Sequence, residues 1–571
     1  MNPSFFRATS VIGALTLLLW PASLLAQQIS TCPRSQGEAY LEANNVRARI
    51  LNTGGLFYRG EPHVYEIPRG SGKHSLFAGS LWIAGQVGGN LRVAAASYSN
   101  NEFWAGPLDD GANPPVDCRT YDRVYSVYKT DIIDYETRGI ATEDLRFWPT
   151  GLGAPTLDAE SNLIDLSGQS FSLRAERLIN LSAGERPALR GNQSVWWVMN
   201  DRGNYHNTTD SEPLGIEVHG LAFAAINPFS AIDNATLFQY RVLNKNAYPI
   251  REAYVGVFLD VDLGNFDDDY IGSDSVRGMG YVYNADDDDD GGLGYGRAPP
   301  ALGILFLEGP IADIDLKDND RDGLVDEPNE RLRTTTFGSY PTPGIYHEPP
   351  LGIGYYDFMR GRWRDGSRFT VGGNGTDDSN PATNFVYSGD PVTGAFWSEL
   401  NIDGRGTSSD PGDRRLVISS GPFSIEPGEE ADFTFAIVWA RGSDNLDSVT
   451  ELRKAADLVR SAFEKGGWDS SRLYPPVVTQ PGPSPAAALG YNFPEPFSDR
   501  TTIRYRVPNY ANVRLAIFDA LGREVQTLVN EPKEKGEYAI RFDGANLPSG
   551  VYFYKIDMGR ATAMRSMLLI K

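Results

Sequence analysis

Carboxylates are the most concentrated reactive groups in this 571-residue chain. Between Asp260 and Asp290 there are eleven Asp against one Arg, and between Asp313 and Glu330 there are eight acids against one Lys and one Arg. The net charge is −22, and these two segments carry −10 and −6 of it. Such charge repels nucleic acid and anionic lipid, and it favours bound cations such as calcium, which prefers oxygen ligands.

The segment 318–326 has the spacing of a calcium-binding loop. Three Asp alternate at its first, third and fifth positions, a Gly follows for a sharp turn, and the next residue would offer its backbone carbonyl. The twelfth position is Asn329 rather than Glu, so we predict a bare loop inside a β protein, with a solvated acidic turn as the alternative. The predicted ligands are Asp318, Asp320, Asp322, Leu324, Asp326 and Glu330.

The larger acidic segment is less regular, but its carboxylates would repel one another unless cations or water screened them. We predict one or two further calcium sites there, and we expect the run 286–290 to face solvent. The predicted ligands are Asp260, Asp262, Asp267, Asp269 and Asp274.

Other catalytic chemistry has little support in the sequence. The five His are dispersed without an H-E-x-x-H motif, and G-x-S-x-G is absent, which argues against a metallohydrolase and a serine esterase. A polysaccharide-acting hydrolase with two carboxylates stays open as the alternative, with Trp104 or Trp196-Trp197 as a sugar platform, although such aromatics are typical of cores. We favour a non-enzymatic protein for adhesion, envelope structure or ligand binding.

The elements that must position these residues are mostly strands. Short apolar runs separated by Gly, Pro and Asn, as in 80–85, 194–199, 235–243 and 433–439, predict a β-sandwich passenger over 27–470, with two or more subdomains left open. One helix is predicted near 447–465, with Asp447 as its N-cap and Gly466-Gly467 at its end. The fold class is therefore mostly β and multi-domain.

The N-terminus has the pattern of a cleavable signal peptide over 1–26. Arg7 precedes the apolar run 11–19, Pro21 interrupts it, and Ala26 offers a small residue for cleavage, although an uncleaved anchor is the alternative. No transmembrane segment is expected after cleavage. In an oxidising compartment the only two cysteines, Cys32 and Cys118, are expected to form a disulfide.

A Pro-rich stretch over 471–488 predicts an extended linker. The remaining residues, 489–571, contain about six short strand patterns and predict an immunoglobulin-like sandwich. That domain carries twelve Lys and Arg against nine acids, a charge of +3, whereas the passenger is acidic.

The C-terminal domain resembles the type IX secretion C-terminal sorting domain. Its opening Asn492–Phe497 reads N-F-P-E-P-F where that family usually has N-Y-P-N-P-F, and both prolines of the turn are kept although Phe493 and Glu495 depart from the pattern. The resemblance continues to Lys571. The motif residues are Asn492, Pro494, Pro496, Phe497, Asp519, Gly522, Asp543, Gly544, Gly550 and Tyr552.

The resemblance implies passage through the periplasm, recognition by outer-membrane secretion machinery, and removal of the domain as the passenger is released or attached to the cell surface. The domain is also similar to an immunoglobulin-like domain of flagellar hook-capping proteins. The passenger resembles uncharacterised exported proteins with the same tail, which brings no known activity. A surface glycan or protein is the expected ligand of such a passenger.

Overall fold

A computed structural model describes residues 32–60, 62, 64–98, 100–227, 230–312, 318, 325, 329–341, 349, 351–468, 489–494, 497–507, 510–519, 523–558 and 562–571. Several predicted features lie outside these residues: the signal peptide, the linker 471–488, the loop ligands Asp320, Asp322, Leu324 and Asp326, and Pro496 and Gly522 of the sorting motif.

The chain is built mainly from short strands with a few helices. The passenger contains β1 (Glu38–Leu41), β2 (Arg47–Leu51), β3 (Gly55–Leu56), β4 (Tyr65–Glu66), β5 (Ala78–Val87), β6 (Asn90–Ser97), β7 (Asn100–Asn101), β8 (Trp104–Ala105), β9 (Tyr125–Tyr128), α1 (Lys129–Arg138), α2 (Glu143–Arg146), β10 (Thr156–Leu157), α3 (Phe171–Arg174), β11 (Arg186–Pro187), β12 (Gln193–Asn200), β13 (Ile216–Ala224), β14 (Ala235–Asn244), β15 (Ile250–Val261), β16 (Asp269–Asp274), β17 (Met279–Asn284), β18 (Asp288–Asp289), β19 (Gly296–Arg297), β20 (Ala301–Glu308), β21 (Thr336–Pro341), α4 (Gly352–Met359), β22 (Arg414–Ile425), β23 (Glu430–Ala440) and α5 (Asn445–Glu464).

Two large antiparallel sheets form the passenger. One has the strand order β1-β2-β3-β5-β15-β22-β21, with β4 beside β2, β6 beside β5, and β7 beside β6. The other has the order β16-β17-β20-β23-β14-β13-β12-β8, with β9 beside β12. The described part of the chain is thus mostly β and consists of several antiparallel sheets, which confirms the predicted fold class.

One large core joins these two sheets. It contains Trp82 and Phe258 from the first sheet and Phe238 and Phe435 from the second, all of them buried. Trp82 stacks on Phe258, and Phe238 stacks on Phe435, with ring centroids 5.5 and 4.9 Å apart. Burying aromatic side chains on both inner faces is the main stabilising term of such a sandwich.

A second core covers the other face of the nine-stranded sheet. Helix α5 places Val449, Leu452 and Val459 there. Trp148, which belongs to the irregular stretch before β12, packs against Trp196 of β12. The helix begins earlier than expected: its N-cap is Asp444, whose carboxylate accepts a hydrogen bond from the Asp447 amide at 2.7 Å. The prediction of Asp447 as the cap was wrong, because Asp447 lies inside the first turn.

The C-terminal domain is a smaller sandwich with its own core. Its strands are β24 (Leu489–Phe493), β25 (Arg500–Val507), β26 (Ala511–Phe518), β27 (Glu524–Lys533), β28 (Gly536–Asp543), β29 (Gly550–Asp557) and β30 (Thr562–Leu569). One sheet has the order β24-β25-β28 and the other β27-β26-β29-β30.

Candidate metal centre and export domain

The pairing of β15 with β22 brings three carboxylates together. The register pairs Asp260 with Arg415 and Val261 with Arg414. One residue after the end of β15 and one residue before the start of β22, Asp262 therefore comes opposite Asp413. One oxygen each from Asp260, Asp262 and Asp413 lies within 4.8 Å of the other two, which is a spacing that a cation can bridge.

A nearby arginine neutralises part of this charge. Arg415 Nη1 lies 3.1 Å from Asp413 Oδ2, and Arg415 Nε lies 3.4 Å from Asp260 Oδ1. Tyr98 donates its hydroxyl hydrogen to Asp260 Oδ2 at 2.8 Å. With one guanidinium for three carboxylates, the cluster keeps an excess of negative charge.

Asp269 adds a buried carboxylate beside this cluster. Its Oδ2 accepts the Leu263 amide at 3.1 Å, its backbone carbonyl accepts the Gly412 amide, and its Oδ1 is buried without a hydrogen-bond donor. Burial raises the pKa of Asp269 well above its usual range, and the negative charges of Asp268 and Asp262 raise it further. Asp413 Oδ1 is likewise buried without a donor. Buried polar oxygens normally have a hydrogen-bond partner, so these two oxygens make the cluster a candidate metal centre.

Asp289 connects a neighbouring loop to the same region through hydrogen bonds. Its two carboxylate oxygens accept the amides of Asn265 and Tyr295 at 3.0 and 2.6 Å. Gly264 makes this approach possible, because it has a φ of 84° and a side chain there would lie 2.1 Å from Asp289 Oδ2. Burial raises the pKa of Asp289 to about 6. Within the run 286–290, Asp289 is buried and the other four residues are exposed.

The structure separates the remaining predicted ligands from this cluster. Asp267 is exposed. Asp274 lies at the far end of β16, where its carboxylate pairs with Arg277 at 2.8 Å and Arg453 at 3.7 Å. Glu330 is buried, and of the ligands predicted within 318–326 only Asp318 lies among the described residues. The acid that sequence reasoning missed is Asp413, since only the strand register places it beside Asp262.

One cleft of the passenger is lined by acids. It measures about 620 Å³, and its carboxylates are those of Glu38, Asp122, Asp131, Glu143 and Asp144. Each of these five carboxylates has a donor partner: Arg59 for Glu38, the Gly37 amide for Asp122, the Tyr128 amide for Asp131, and Arg123 for Glu143 and Asp144. The acids of this cleft are therefore engaged by donors of the protein itself.

The aromatic residues considered as a sugar platform are buried. Trp104 is 5% exposed, and Trp196 and Trp197 are each 1% exposed. No indole face is therefore open to a sugar ring at these three positions. Sequence reasoning also missed two buried acid–histidine pairs. Glu102 and His206 become neighbours only in the folded chain, whereas Glu217 and His219 alternate on strand β13, a spacing that the sequence itself shows.

Cys32 and Cys118 form a disulfide in the structure, with Cα atoms 5.6 Å apart. The bridge fixes the first described residue beside Trp104, with which both cysteines form a small buried cluster. The Cys32 amide also donates to the Gly203 carbonyl at 2.8 Å. The segment that begins at Cys32 is thus attached to the body of the passenger.

In the C-terminal domain the motif residues hold the opening turn against the last strand. The Asn492 side chain donates to Thr501 Oγ1 at 3.1 Å and to the Pro494 carbonyl at 3.2 Å. Phe497 is buried and exchanges backbone hydrogen bonds with Leu568 and Ile570.

Further motif residues form turns in the same domain. Asp519 pairs with Arg523 at 2.8 Å, and Asp543 pairs with Arg500 at 2.8 Å. The Tyr552 hydroxyl donates to the Pro548 carbonyl. Gly544 lies against Phe497, where a side chain would come within 3.1 Å of the ring.

Residues 492–571 match the family described as the secretion system C-terminal sorting domain. The chain therefore carries a sorting domain that directs it to the cell surface or beyond. Within the described residues, no helix is both long and apolar enough to cross a membrane. Among curated proteins, none matches this chain.

Several solved structures show weak similarity. A polysaccharide lyase is 9% identical, with 62% of this chain and 34% of that chain covered and a TM-score of 0.16. A pullulanase from Bacillus acidopullulyticus is 11% identical, with coverages of 55% and 35% and a TM-score of 0.11. The chain thus spans about a third of the length of each.

PorZ, a surface component of the type IX secretion system of Porphyromonas gingivalis, is 11% identical, with 94% of this chain and 66% of that chain covered and a TM-score of 0.13. With TM-scores this low, none of these three similarities supports an inference about fold or activity.

Proposed function

We propose that this secreted cargo of a type IX route is a non-enzymatic cell-surface protein whose β-sandwich passenger is stabilised by calcium. One observation carries the calcium assignment: Asp260, Asp262 and Asp413 converge beside Asp269, whose buried Oδ1 has no donor. Calcium takes six to eight oxygen ligands, so these carboxylates would be completed by backbone carbonyls and water. The ion would hold the ends of β15 and β22 together and connect them to β16.

The non-enzymatic part of the proposal has two supports. The carboxylates of the acid-lined cleft at Glu38 and Asp144 are engaged by donors within the protein, and the tryptophans suited to sugar stacking are buried. The expected role is adhesion, envelope structure or binding of a surface glycan or protein. The sorting domain would be an immunoglobulin-like module similar to that of hook-capping proteins, and it would be removed at the outer membrane.

Thermal melting of the mature chain tests the calcium assignment. A ligand that binds the native state alone stabilises it by about 2.7 kcal/mol at one hundred times its Kd. We expect the melting temperature to rise with calcium and to return to the apo value with chelator. Equal melting temperatures in both solutions would contradict the proposal.

The predicted loop at 318–326 is a separate proposed site, and its own variant distinguishes it. Asp322→Asn should remove one bound calcium without affecting the site at Asp413, because the two sites use different ligands. A screen of the purified passenger against polysaccharides and model glycosides tests the absence of catalysis. Calcium-dependent turnover of any of them would favour the alternative, a secreted polysaccharide-acting hydrolase.

A further inference from the structure

We infer that one face of the three-stranded sheet in the sorting domain docks an acidic protein partner through Arg504, Arg506 and Arg541, which together we name the arginine face. The inference rests on the proposed export function, because it concerns how the exported chain is recognised. It adds a specific surface and a specific partner chemistry to that function.

The alternation of β25 creates this face. Thr501, Ile503, Tyr505 and Val507 are buried, whereas the alternate positions 500, 504 and 506 are exposed arginines. Successive side chains of a strand point to opposite sides, so these arginines share one side of the sheet. The Cα atoms of Arg504 and Arg506, two residues apart in sequence, are about 7 Å from each other.

Strand β28 adds the third arginine. The register pairs Thr502 with Arg541 and Arg504 with Ala539, and Arg541 and Ala539 are both exposed. Residues that are directly opposite share a side of the sheet, and diagonal neighbours lie about 7–8 Å apart. Arg541 is therefore a diagonal neighbour of Arg504. The same register places Glu537 opposite Arg506 and Asp543 opposite Arg500.

Four cationic side chains of the domain are neutralised by a neighbouring acid. Arg500, Arg514, Arg523 and Lys533 each form an ion pair with an acid of the same domain. Over the described residues of 489–571, Arg504, Arg506 and Arg541 form none, and neither do Lys535 and Lys555. The three arginines, unlike the two lysines, are neighbours on one side of a single sheet, where they are available to a partner.

The chemistry of the face selects an acidic protein. Guanidinium groups bind carboxylates and phosphates through two parallel hydrogen bonds. A bilayer surface also takes apolar side chains to insert. Beside the arginines the register places Thr502, Ala539 and the acid Glu537, with Phe493 opposite Thr502. In a protein partner, carboxylates two residues apart on a strand or four residues apart on a helix are about 6–7 Å from each other, which matches the spacing of these arginines.

Binding by the mature full-length chain tests the inference. The probe is an immobilised poly-glutamate peptide, compared with vesicles that contain phosphatidylglycerol and phosphatidylcholine. The variant Arg504→Gln/Arg506→Gln/Arg541→Gln should bind the peptide at least tenfold more weakly. The matched control Arg514→Gln/Arg523→Gln/Lys533→Gln removes the same charge from ion-paired positions outside the three-stranded sheet and should stay within threefold of the parent chain.

Equal losses in both triple variants would overturn the inference, because net charge alone would then explain binding. Binding to vesicles but not to the peptide would also overturn it, in favour of lipid phosphate. Melting curves of the two variants establish that each is folded.

Surface delivery in a host with a type IX system separates this inference from the proposed function. Deleting 492–571 should abolish delivery, and intact delivery would contradict the export function itself. If the deletion abolishes delivery while the arginine-face variant is delivered and binds the peptide normally, the inference alone fails.

Discussion

His206 and Glu102 form a fully buried pair, in which the ring Nδ1 lies 3.4 Å from the carboxylate Oε2. The ring also contacts two backbone carbonyls: Nδ1 lies 2.8 Å from Val93 O, and Nε2 lies 2.7 Å from Asp201 O. Both ring nitrogens therefore lie within hydrogen-bond distance of a carbonyl acceptor, and the Glu102 carboxylate lies beside Nδ1.

Glu102→Gln should destabilise the passenger by about 1–3 kcal/mol, because it replaces one oxygen of a buried acceptor with an amide donor. The carboxylate accepts hydrogen bonds from the amides of Ala95, Thr208 and Thr209, so the substitution weakens several contacts. Urea unfolding of the mature chain measures the loss. Glu143→Gln is the control, since that side chain is 75% exposed, and an equal effect of both substitutions would show that the buried contacts of Glu102 add no stability.

Asp413→Asn should remove one equivalent of calcium from the mature chain. Asp413 contributes one of three converging carboxylates, and the loss of its charge weakens attraction for a divalent cation. Isothermal titration gives the stoichiometry. The control is Asp267→Asn, an exposed acid of the same segment, which should leave the stoichiometry unchanged. If Asp413→Asn binds as many ions as the parent chain, this cluster is not the site.

The strands of the passenger could be predicted because they are apolar runs bounded by turn residues. Strands β12, β14 and β23 follow this pattern closely, and both large sheets are built from such runs. The stretch between β9 and β12 could not be predicted. Its helices α1, α2 and α3 have four to ten residues, none of them with a wide apolar face, so no periodicity reveals them.

The candidate site was predictable only in part for a related reason. Asp260 and Asp262 attract attention because they end a strand inside an acidic segment. Asp413 lies far along the chain, and its role depends on the register between β15 and β22, which depends on the packing of the whole sheet. Conversely, Asp274 belongs to the same acidic segment, but Arg277 and Arg453 neutralise it.

Removing the disulfide should lower the free energy of unfolding of the passenger by about 2–5 kcal/mol. The bridge joins residues separated by 86 positions, so it removes much conformational freedom from the unfolded chain. The comparison is urea unfolding of the parent chain and of Cys32→Ser/Cys118→Ser. Dithiothreitol should destabilise the parent and leave the double variant unaffected; a parent chain that is insensitive to reductant would show that the bridge adds no stability.

The calcium-free passenger should lose stability as the pH rises from about 4 to about 6, and Asp289 should account for part of this loss. Burial raises the pKa of Asp289 from the ordinary 3.8 to about 6 in the folded chain. Between these values the native state binds more protons than the unfolded state, so the free energy of unfolding falls as the pH increases. Below pH 4 the Asp289 carboxyl is protonated in both the native and the unfolded state, and its contribution to the free energy of unfolding is fully present.

Urea unfolding of the mature chain, dialysed free of divalent cations, measures this dependence at pH 4, 5, 6 and 7. The Asp289→Asn variant has no ionisable group at this position. Its free energy of unfolding should therefore fall less steeply than that of the parent chain over this pH range. Asp288→Asn is the control, because that neighbour is exposed and should keep the parent slope. If Asp289→Asn retains the parent slope, Asp289 is ionised in the calcium-free fold and the pH dependence originates in other buried carboxylates.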